Sequence, residues 1–244
     1  SLVGRYDVPV RHGLTIGELA RFVNQEAGIG GALTVVPCAG WRRDLPWRET
    51  GLPWAPPSPN MPALETTLVY PGTCLGEGVN ISVGRGTAKP FEWLGAPWLD
   101  GVALVAALND QNLPGVRWRP VAFVPCSGPY ANEQCFGVQP HVTAGAVFRP
   151  VAAGVALLLA LRDTHPDQFA VSAAGAIYAD PAQMARRMYT SRLDWNTAHF
   201  DRLAGSASLR AQITAGATLA DITAPWPAYE SRWRERVAGA LLYE

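Results

Sequence analysis

The stretch from residue 58 to residue 98 constrains the fold of this chain more than any other part. It combines polar and charged side chains with many glycines and prolines, and few of its apolar residues recur at helix or strand spacing. Proline fixes φ and removes a hydrogen-bond donor, whereas glycine permits positive φ and close backbone approach. The stretch therefore predicts long loops that present side chains to a ligand on a frame built elsewhere. The alternative is an ordinary surface loop with solvated charges.

The composition is that of a globular protein and excludes some partners. The chain has 244 residues, of which 48% are hydrophobic and 16% charged, and its formal net charge is zero. No run of lysine or arginine is present, so we expect no nucleic-acid partner. The longest apolar run, residues 151–161, is too short to span a bilayer, so we expect no membrane span.

Periodicity and capping signals predict the elements of an α+β fold. Thr15 and Glu18 form a capping-box pattern before a helix that Gly28 ends. Further helices are predicted at 100–109, 150–162, around 181–189, 197–203, 209–215 and 231–242, and strands at 33–38, 116–124 and 136–142. These elements do not alternate regularly. We therefore predict a small mixed sheet with surrounding helices and long Gly/Pro-rich active-site loops, in a single domain over residues 1–244.

The four cysteines and four histidines give no metal-binding pattern. No pair of cysteines has zinc-finger spacing and no HExxH motif is present, so we expect no metal and no cofactor. A cluster of His12, His141 and Glu77 stays open as a weaker metal-site alternative. Cys126 and Cys135 bracket a short Gly/Pro loop, where they form either a disulfide in an oxidising compartment or buried free thiols.

The polar inventory of the central stretch suits the chemistry of glycoside hydrolysis. That reaction needs carboxyl groups at the anomeric centre and neutral donors that orient hydroxyl and acetamide groups. Glu77 stands between Gly76 and Gly78, where no bulky neighbour blocks the approach of a ligand. Asn80 and Arg85 follow it in the same stretch. The alternative for Glu77 is a carboxylate bonded to nearby loop amides.

Two residues before the first predicted helix are candidates for binding an anion. Arg11 and His12 precede the helix N-terminus, where exposed amides and positive potential favour negative charge. The alternative for His12 is a histidine bonded to the local backbone.

Four motifs in order along the chain resemble the NamZ family of exo-β-N-acetylmuramidases of bacterial peptidoglycan recycling, long catalogued as a domain of unknown function. They are PVRHGLTIGELA at 9–20, LPWAPPSPNMP at 52–62, YPGTCLGEGVNISVGRGTAKPFEWLGAPW at 70–98 and CFGVQPHVT at 135–143. The resemblance implies removal of N-acetylmuramic acid from the non-reducing end of peptidoglycan fragments. The assignment of Glu77 as the catalytic residue rests on the polar inventory of the central stretch. One departure is Ala144, where the family pattern leads us to expect an aspartate.

The resemblance also implies a second half for the active site. Family members carry a Rossmann-like N-terminal half, with a Ser-Pro-Glu-His-Gly motif that this chain lacks, and the cleft lies between the halves. We therefore expect the chain to correspond to the C-terminal half and to supply the substrate-binding side of the cleft. A preceding segment or a partner chain would complete it. No signal peptide is visible, and the location stays open between extracytoplasmic and cytoplasmic.

Selection of muramic acid requires a cation for its lactyl carboxylate, and the planar fork of arginine suits that group. We assign this role to Arg85, with Arg11 as second choice. The hydroxyl and N-acetyl groups would contact further polar residues of the motifs, namely Asn60, Asn80, Ser82, Thr87, His12 and His141. Two alternatives remain open: a non-catalytic module that binds muropeptides or acidic sugars, and a half that only docks on a partner.

Overall fold

The computed structural model describes residues 6–171 and 199–243. The chain divides into two compact units, one comprising Ala55–Thr223 and the other Tyr6–Trp54 with Ala224–Glu244. The larger unit contains the sheet and the central stretch, and the smaller unit is formed from both ends of the chain. The single domain expected from the sequence stays a prediction.

The elements confirm the α+β class. The helices are α1 (Ile16–Glu26), α2 (Leu64–Thr73), α3 (Gly101–Asp110), α4 (Pro150–Thr164), α5 (His199–Ala204), α6 (Ser208–Thr214), α7 (Leu219–Thr223) and α8 (Trp226–Val237). The strands are β1 (Leu94–Ala96), β2 (Val116–Phe123) and β3 (Cys135–Val142), and 3₁₀ turns cover Trp47–Thr50, Cys74–Gly78 and Ala238–Ala240. None of the helices in the described ranges is long and apolar enough to cross a membrane.

The three strands form one sheet in the order β1–β3–β2. Arg117 lies opposite His141 and Arg119 opposite Gln139, so the polar residues of β2 and β3 share one face. The strands predicted at 116–124 and 136–142 are confirmed. The sequence predicts a mixed sheet, whereas both ladders in the described part of the chain are antiparallel.

Helices α2 and α4 cross at two glycines. A Cβ on Gly72 would overlap the carbonyl of Pro150, and a Cβ on Gly154 would overlap the carbonyl of Gly72. Every residue of α4 from Ala153 to Leu161 is buried, which explains why its sequence is apolar almost without interruption. The helix predicted at 150–162 is confirmed, and its burial holds α2 and the residues after it in place.

The central stretch is partly a loop and partly core. Residues 79–93 form no helix or strand, as predicted, but α2 and β1 lie in the same stretch, and Pro71 is inside α2. Its apolar residues Val79, Ile81 and Phe91 are at most 1% exposed. The stretch predicted to present side chains on a frame built elsewhere therefore also contributes residues to the core. Its buried residues lie on irregular backbone, so no helix or strand periodicity in the sequence indicates that they are buried.

The smaller unit has its own apolar cluster and confirms the capping box. Thr15 accepts from the Glu18 amide and the Glu18 side chain returns to the Thr15 amide. The buried residues of the cluster are Phe22, Trp233, Val237 and Ala240. The helix predicted at 231–242 begins earlier and ends at Val237.

Two predicted elements have a different outcome. The strand predicted at 33–38 is wrong, because these residues form no strand ladder and Val36 is 84% exposed. Its β-branched residues lack a neighbouring strand to pair with. The helix predicted around 181–189 lies outside the described residues.

Candidate functional site

Glu77 and Arg85 form an ion pair in the larger unit. Glu77 lies on the 3₁₀ turn after α2, and Arg85 lies in the loop that follows. The Nε and Nη2 atoms of Arg85 each lie 2.8 Å from Oε1 of Glu77. Within the described ranges Oε2 of Glu77 accepts no hydrogen bond. The side chains are 12% and 29% exposed respectively, so the pair is accessible from solvent.

An aromatic pair supports the Arg85 guanidinium. The Cζ atom of Arg85 lies 4.8 Å from the centroid of the Phe91 ring. The Tyr70 ring packs edge-on against Phe91, with 4.8 Å between the two centroids. Phe91 is buried and has a φ of 61°, a conformation that costs free energy for a residue with a side chain. Its amide donates to the carbonyl of Val83 at 2.6 Å. The loop thus carries a strained residue directly beside the ion pair.

The glycines on either side of Glu77 have a packing role. Gly76 and Gly78 are both buried. A Cβ on Gly78 would come within 2.6 Å of the Phe200 ring, and a Cβ on Gly76 within 2.9 Å of Val83. The sequence interpretation that no bulky neighbour blocks the approach of a ligand to Glu77 stays a prediction. These glycines allow the turn to pack against α5 and the loop, which fixes the position of the carboxylate.

The titratable groups near Glu77 are held in their neutral forms. Burial raises the pKa of the Cys74 thiol to about 11, and the charge of Glu77 adds to the effect. Burial also raises the pKa of Tyr70, with smaller contributions from Cys74 and Glu77. The pKa of His199 is lowered by burial, although Glu77 opposes that shift. Around neutral pH the surroundings of the ion pair therefore offer an uncharged thiol, phenol and imidazole.

A second acidic residue, Glu92, lies in the loop before β1 and bonds to a residue of α2. Glu92 is 3% exposed and accepts from the hydroxyl of Thr66 at 2.7 Å and from Nζ of Lys89 at 3.0 Å. Thr66 and Tyr70 are four residues apart on α2 and so lie on the same face of that helix. The α2 residues that lead to the two ion pairs are thus one helical turn apart: Thr66 bonds to Glu92, and Tyr70 contacts Phe91 below Arg85.

The second acidic group connects to the sheet through a buried glutamine. Gln139 on β3 donates to Glu92 at 3.4 Å, and its Oε1 accepts from Nε1 of Trp93 at 3.0 Å. The same oxygen accepts from Nε and Nη2 of Arg119 at 3.1 and 2.7 Å. Nε of Arg119 also donates to Nε2 of the exposed His141 at 2.9 Å.

Three polar residues expected to contact a sugar have internal partners. The Asn80 amide donates to the carbonyl of Gln168 at 2.7 Å and accepts from the amide of Ala170 at 2.8 Å. Ser82 is 1% exposed and its hydroxyl accepts from the Gly84 amide. The Thr87 hydroxyl donates to the carbonyl of Gly84 at 2.7 Å. These side chains stabilise the backbone of the loop, and a role toward a ligand stays a prediction.

The remaining expected residues are Asn60 in the larger unit and Arg11 and His12 in the smaller one. The backbone N–H of Asn60 donates to the hydroxyl of Ser58 at 3.2 Å. Nδ1 of His12 accepts from the Leu14 amide at 3.1 Å, which agrees with the alternative of a histidine bonded to local backbone.

Cys126, Cys135 and one cavity lie outside this arrangement. Both cysteines are free thiols, which agrees with the second of the two alternatives, but only Cys135 is buried and Cys126 is exposed. No group of three or more metal-ligating side chains occurs in the described part of the chain. A cavity of about 630 Å³ is lined by residues 97–102, 120–122 and 136, and none of the expected site residues lines it.

Sequence reasoning missed several residues of this arrangement. Tyr70 lies in a quoted motif but was given no role, and Gln139, Trp93 and Arg119 were not singled out. A signal was available for the sheet residues, because Arg117, Arg119, Gln139 and His141 alternate along two predicted strands. No sequence signal linked Gln139 to Glu92, since that contact depends on the docking of the loop onto the sheet.

Comparison with known proteins matches nearly the whole chain to one family. Residues 68–243 match the model described as the C-terminal part of exo-β-N-acetylmuramidase NamZ, and residues 1–65 match the model of its N-terminal part. The sequence analysis expected a correspondence to the C-terminal half alone, whereas the matches include part of the N-terminal model as well.

Individual relatives agree with the family models. The chain is 39% identical over 222 residues to the peptidoglycan β-N-acetylmuramidase NamZ of Bacillus subtilis, which covers 91% of this chain and 48% of that protein. It therefore spans about half the length of that curated relative. Two crystal structures of DUF1343 family proteins from Bacteroides fragilis have TM-scores of 0.77 and 0.60. Each is 25% identical to this chain in sequence, and both matches extend over all of this chain. They extend over 60% and 59% of the respective crystallised chains.

Proposed function

Because the chain belongs to the NamZ family of exo-β-N-acetylmuramidases, we propose that it is part of a peptidoglycan glycoside hydrolase. Its substrate would carry N-acetylmuramic acid at the non-reducing end, and this chain would supply the substrate-binding side of the cleft. The ligand is then a muropeptide or an amino sugar. The likeness to a peptidoglycan β-N-acetylmuramidase over 222 residues supports the substrate class.

The observation that carries the proposal is the partly exposed carboxylate of Glu77, whose Oε1 is held by Arg85 and whose Oε2 accepts no hydrogen bond within the described residues. Arg85 occupies Oε1 from two nitrogen atoms at 2.8 Å, which fixes the rotamer of the carboxylate. Oε2 remains available to a substrate atom. A carboxylate fixed in this way suits the oxocarbenium-like transition state of glycoside hydrolysis, either by stabilising positive charge at the anomeric carbon or by attacking it.

Glycoside hydrolysis also requires a group that protonates the leaving oxygen. We propose that this group comes from the segment of the family protein that this chain does not contain. Tyr70 is 38% exposed beside the ion pair, and its neutral phenol is a candidate donor to a sugar hydroxyl. Asn80, Ser82 and Thr87 contribute by holding the loop that carries Arg85.

The test is a turnover assay on a chromogenic N-acetylmuramoyl glycoside, with the matching N-acetylglucosaminide as control. The chain is assayed alone and after extension with the N-terminal segment of a family member. We expect the extended protein to cleave the muramoyl substrate, and Glu77→Gln to lower its kcat by about 10²-fold or more because the charge at the anomeric centre is lost.

Glu133→Gln is the control variant, since Glu133 is exposed and forms no ion pair in the described ranges. Its kcat should equal that of the parent protein. Unchanged turnover in Glu77→Gln would move Glu77 to a structural role. Tight binding of muramoyl ligands without any turnover in the extended protein would favour the non-catalytic binding module instead.

A further inference from the structure

Arg119 differs from the other two cations of the central arrangement because none of its hydrogen-bond partners in the described residues is a carboxylate. Arg85 is paired with Glu77 and Lys89 with Glu92. The acceptors of Arg119 are the amide oxygen of Gln139 and a ring nitrogen of His141. No carboxylate lies within ion-pair distance of Arg119 in the described part of the chain. Its charge is therefore uncompensated on an exposed strand position.

The contacts of Arg119 fix its orientation and leave one edge open. Gln139 is 4% exposed and is held from both ends, by the indole of Trp93 and by the carboxylate of Glu92. Its oxygen binds Nε and Nη2 of Arg119. The Nη1 atom has no acceptor in the described ranges, so the outer edge of the guanidinium faces solvent with its donors unused. A guanidinium held rigidly on one edge is well prepared to bind a carboxylate on the other.

A second arginine increases the positive charge of this face. Arg117 lies two residues before Arg119 on β2 and is also exposed, so the two side chains leave the same face about 7 Å apart. Arg117 has no acidic partner in the described part of the chain, and it lies opposite His141 in the register. Like charges at this spacing repel each other. A bound anion between them would remove that cost.

Trp93 supplies an apolar surface at the same place. Its indole nitrogen and the Arg119 guanidinium share one acceptor, so the two groups are adjacent. The Trp93 ring packs against Phe123 at 5.9 Å between centroids and is only half-buried. A half-exposed aromatic ring beside a cation suits a ligand that combines an apolar sugar or peptide surface with a carboxylate.

We propose that the sheet face carrying Arg117, Arg119 and His141 is a subsite that binds a carboxylate group of the substrate. The identity of the ligand rests on the proposed function: the carboxylate is the lactyl group of muramic acid or the acid of a peptide attached to it. This subsite differs from the position expected from the sequence, where Arg85 would bind the lactyl group. Glu77 already neutralises the charge of Arg85.

The test is NMR detection of arginine Nε–H signals in the whole chain, with the Arg119 signal assigned from Arg119→Gln. The ligands are N-acetylmuramic acid, N-acetylmuramoyl dipeptide and N-acetylglucosamine, which lacks a carboxylate. We expect one or both acids to shift the Arg119 signal and N-acetylglucosamine to leave it unchanged. A response to the free sugar acid identifies the lactyl group, and a response to the dipeptide alone identifies the peptide carboxylate.

Variants supply the second readout. Arg119→Gln should weaken binding of the responding acid by about tenfold, the size expected for loss of a charge-assisted pair, while N-acetylglucosamine binding stays unchanged. Arg234→Gln, an exposed arginine of the smaller unit, is the control and should change neither. The subsite is overturned if Arg119→Gln weakens binding of the acid and of the neutral sugar equally, or weakens neither. It is also overturned if no acid shifts the Arg119 signal.

The outcomes also separate this inference from the proposed function. Cleavage of the muramoyl glycoside by the extended protein with a silent Arg119 signal would overturn the subsite and leave the hydrolase proposal standing. A responding Arg119 in a protein that cleaves no muramoyl glycoside would support the subsite and refute hydrolysis.

Discussion

At the scale of single residues, Glu18 shows how one buried carboxylate can hold several segments of the smaller unit. Its oxygens accept from the amides of Thr15 and Leu242 at 2.8 Å each and from Arg43 at 2.7 Å. The side chain is fully buried. Burial opposes its ionisation, but these hydrogen bonds outweigh burial and lower the pKa of Glu18 from 4.5 to about 2. The carboxylate thus ties the start of α1 to the end of the chain.

Replacing this carboxylate should change both stability and its pH dependence. Because the pKa in the folded state is below that of the unfolded state, the contribution of Glu18 is fully present above pH 4.5 and is lost as the pH falls toward 2. Glu18→Gln should lower the free energy of unfolding by about 3 kcal/mol at pH 7. Urea unfolding at several pH values measures this.

The matched control for that measurement is Glu235→Gln, since Glu235 is an exposed residue of α8. Its free energy of unfolding should follow that of the parent chain at every pH. An equal acid-induced loss of stability in Glu18→Gln and the parent between pH 4.5 and 2 would contradict the assignment.

At the scale of elements, the crossing of α2 and α4 decides where the candidate site lies. The backbones approach so closely that neither Gly72 nor Gly154 has room for a Cβ. Helix α2 leads directly into the turn that carries Glu77. The position of the ion pair therefore depends on a contact between two helices that are far apart in the sequence.

Adding a methyl group at this crossing should separate the helices. Gly72→Ala gains about 1 kcal/mol in helix propensity, but overlap with the Pro150 carbonyl should cost more, giving a net loss of about 2 kcal/mol or more. Thermal unfolding measures the effect. Gly145→Ala is the control, because nothing lies within 4 Å of its Cβ position. A melting temperature of Gly72→Ala at or above that of Gly145→Ala would refute the close crossing.

At the scale of the whole molecule, the chain forms two units, and the smaller is built from both ends of the sequence. Its buried apolar cluster consists of Phe22, Trp233, Val237 and Ala240. A core of this size gives little stability by itself. The prediction of a single domain therefore implies that the smaller unit unfolds together with the larger one.

Hydrogen–deuterium exchange along a urea series tests this cooperativity. We expect peptides from α1 and α8 to lose protection at the same midpoint as peptides from α4, and Glu18→Gln to lower both midpoints equally. Two midpoints, with only that of the smaller unit lowered by the substitution, would show two independent domains.

The candidate site was predictable where it is local in sequence. Glu77 and Arg85 are eight residues apart in one motif and form an ion pair, while their roles toward a substrate stay predictions. Arg119 and Gln139 come from different strands, so their contact follows from the register of β2 and β3. The alternation of polar residues along each strand was visible in the sequence, but the register that brings Arg119 to Gln139 was not.

By itself, the sequence determined the capping box of α1, the buried helix α4, the two long strands and, through its motifs, the family. Each of these is encoded by neighbours along the chain, as caps, periodicity or ordered motifs. Only the tertiary structure decided that Gly76 and Gly78 serve packing, that the Asn80 side chain is engaged by backbone, and that Arg119 has no acidic partner among the described residues. The physical reason is that burial and charge compensation depend on groups brought together from distant parts of the sequence.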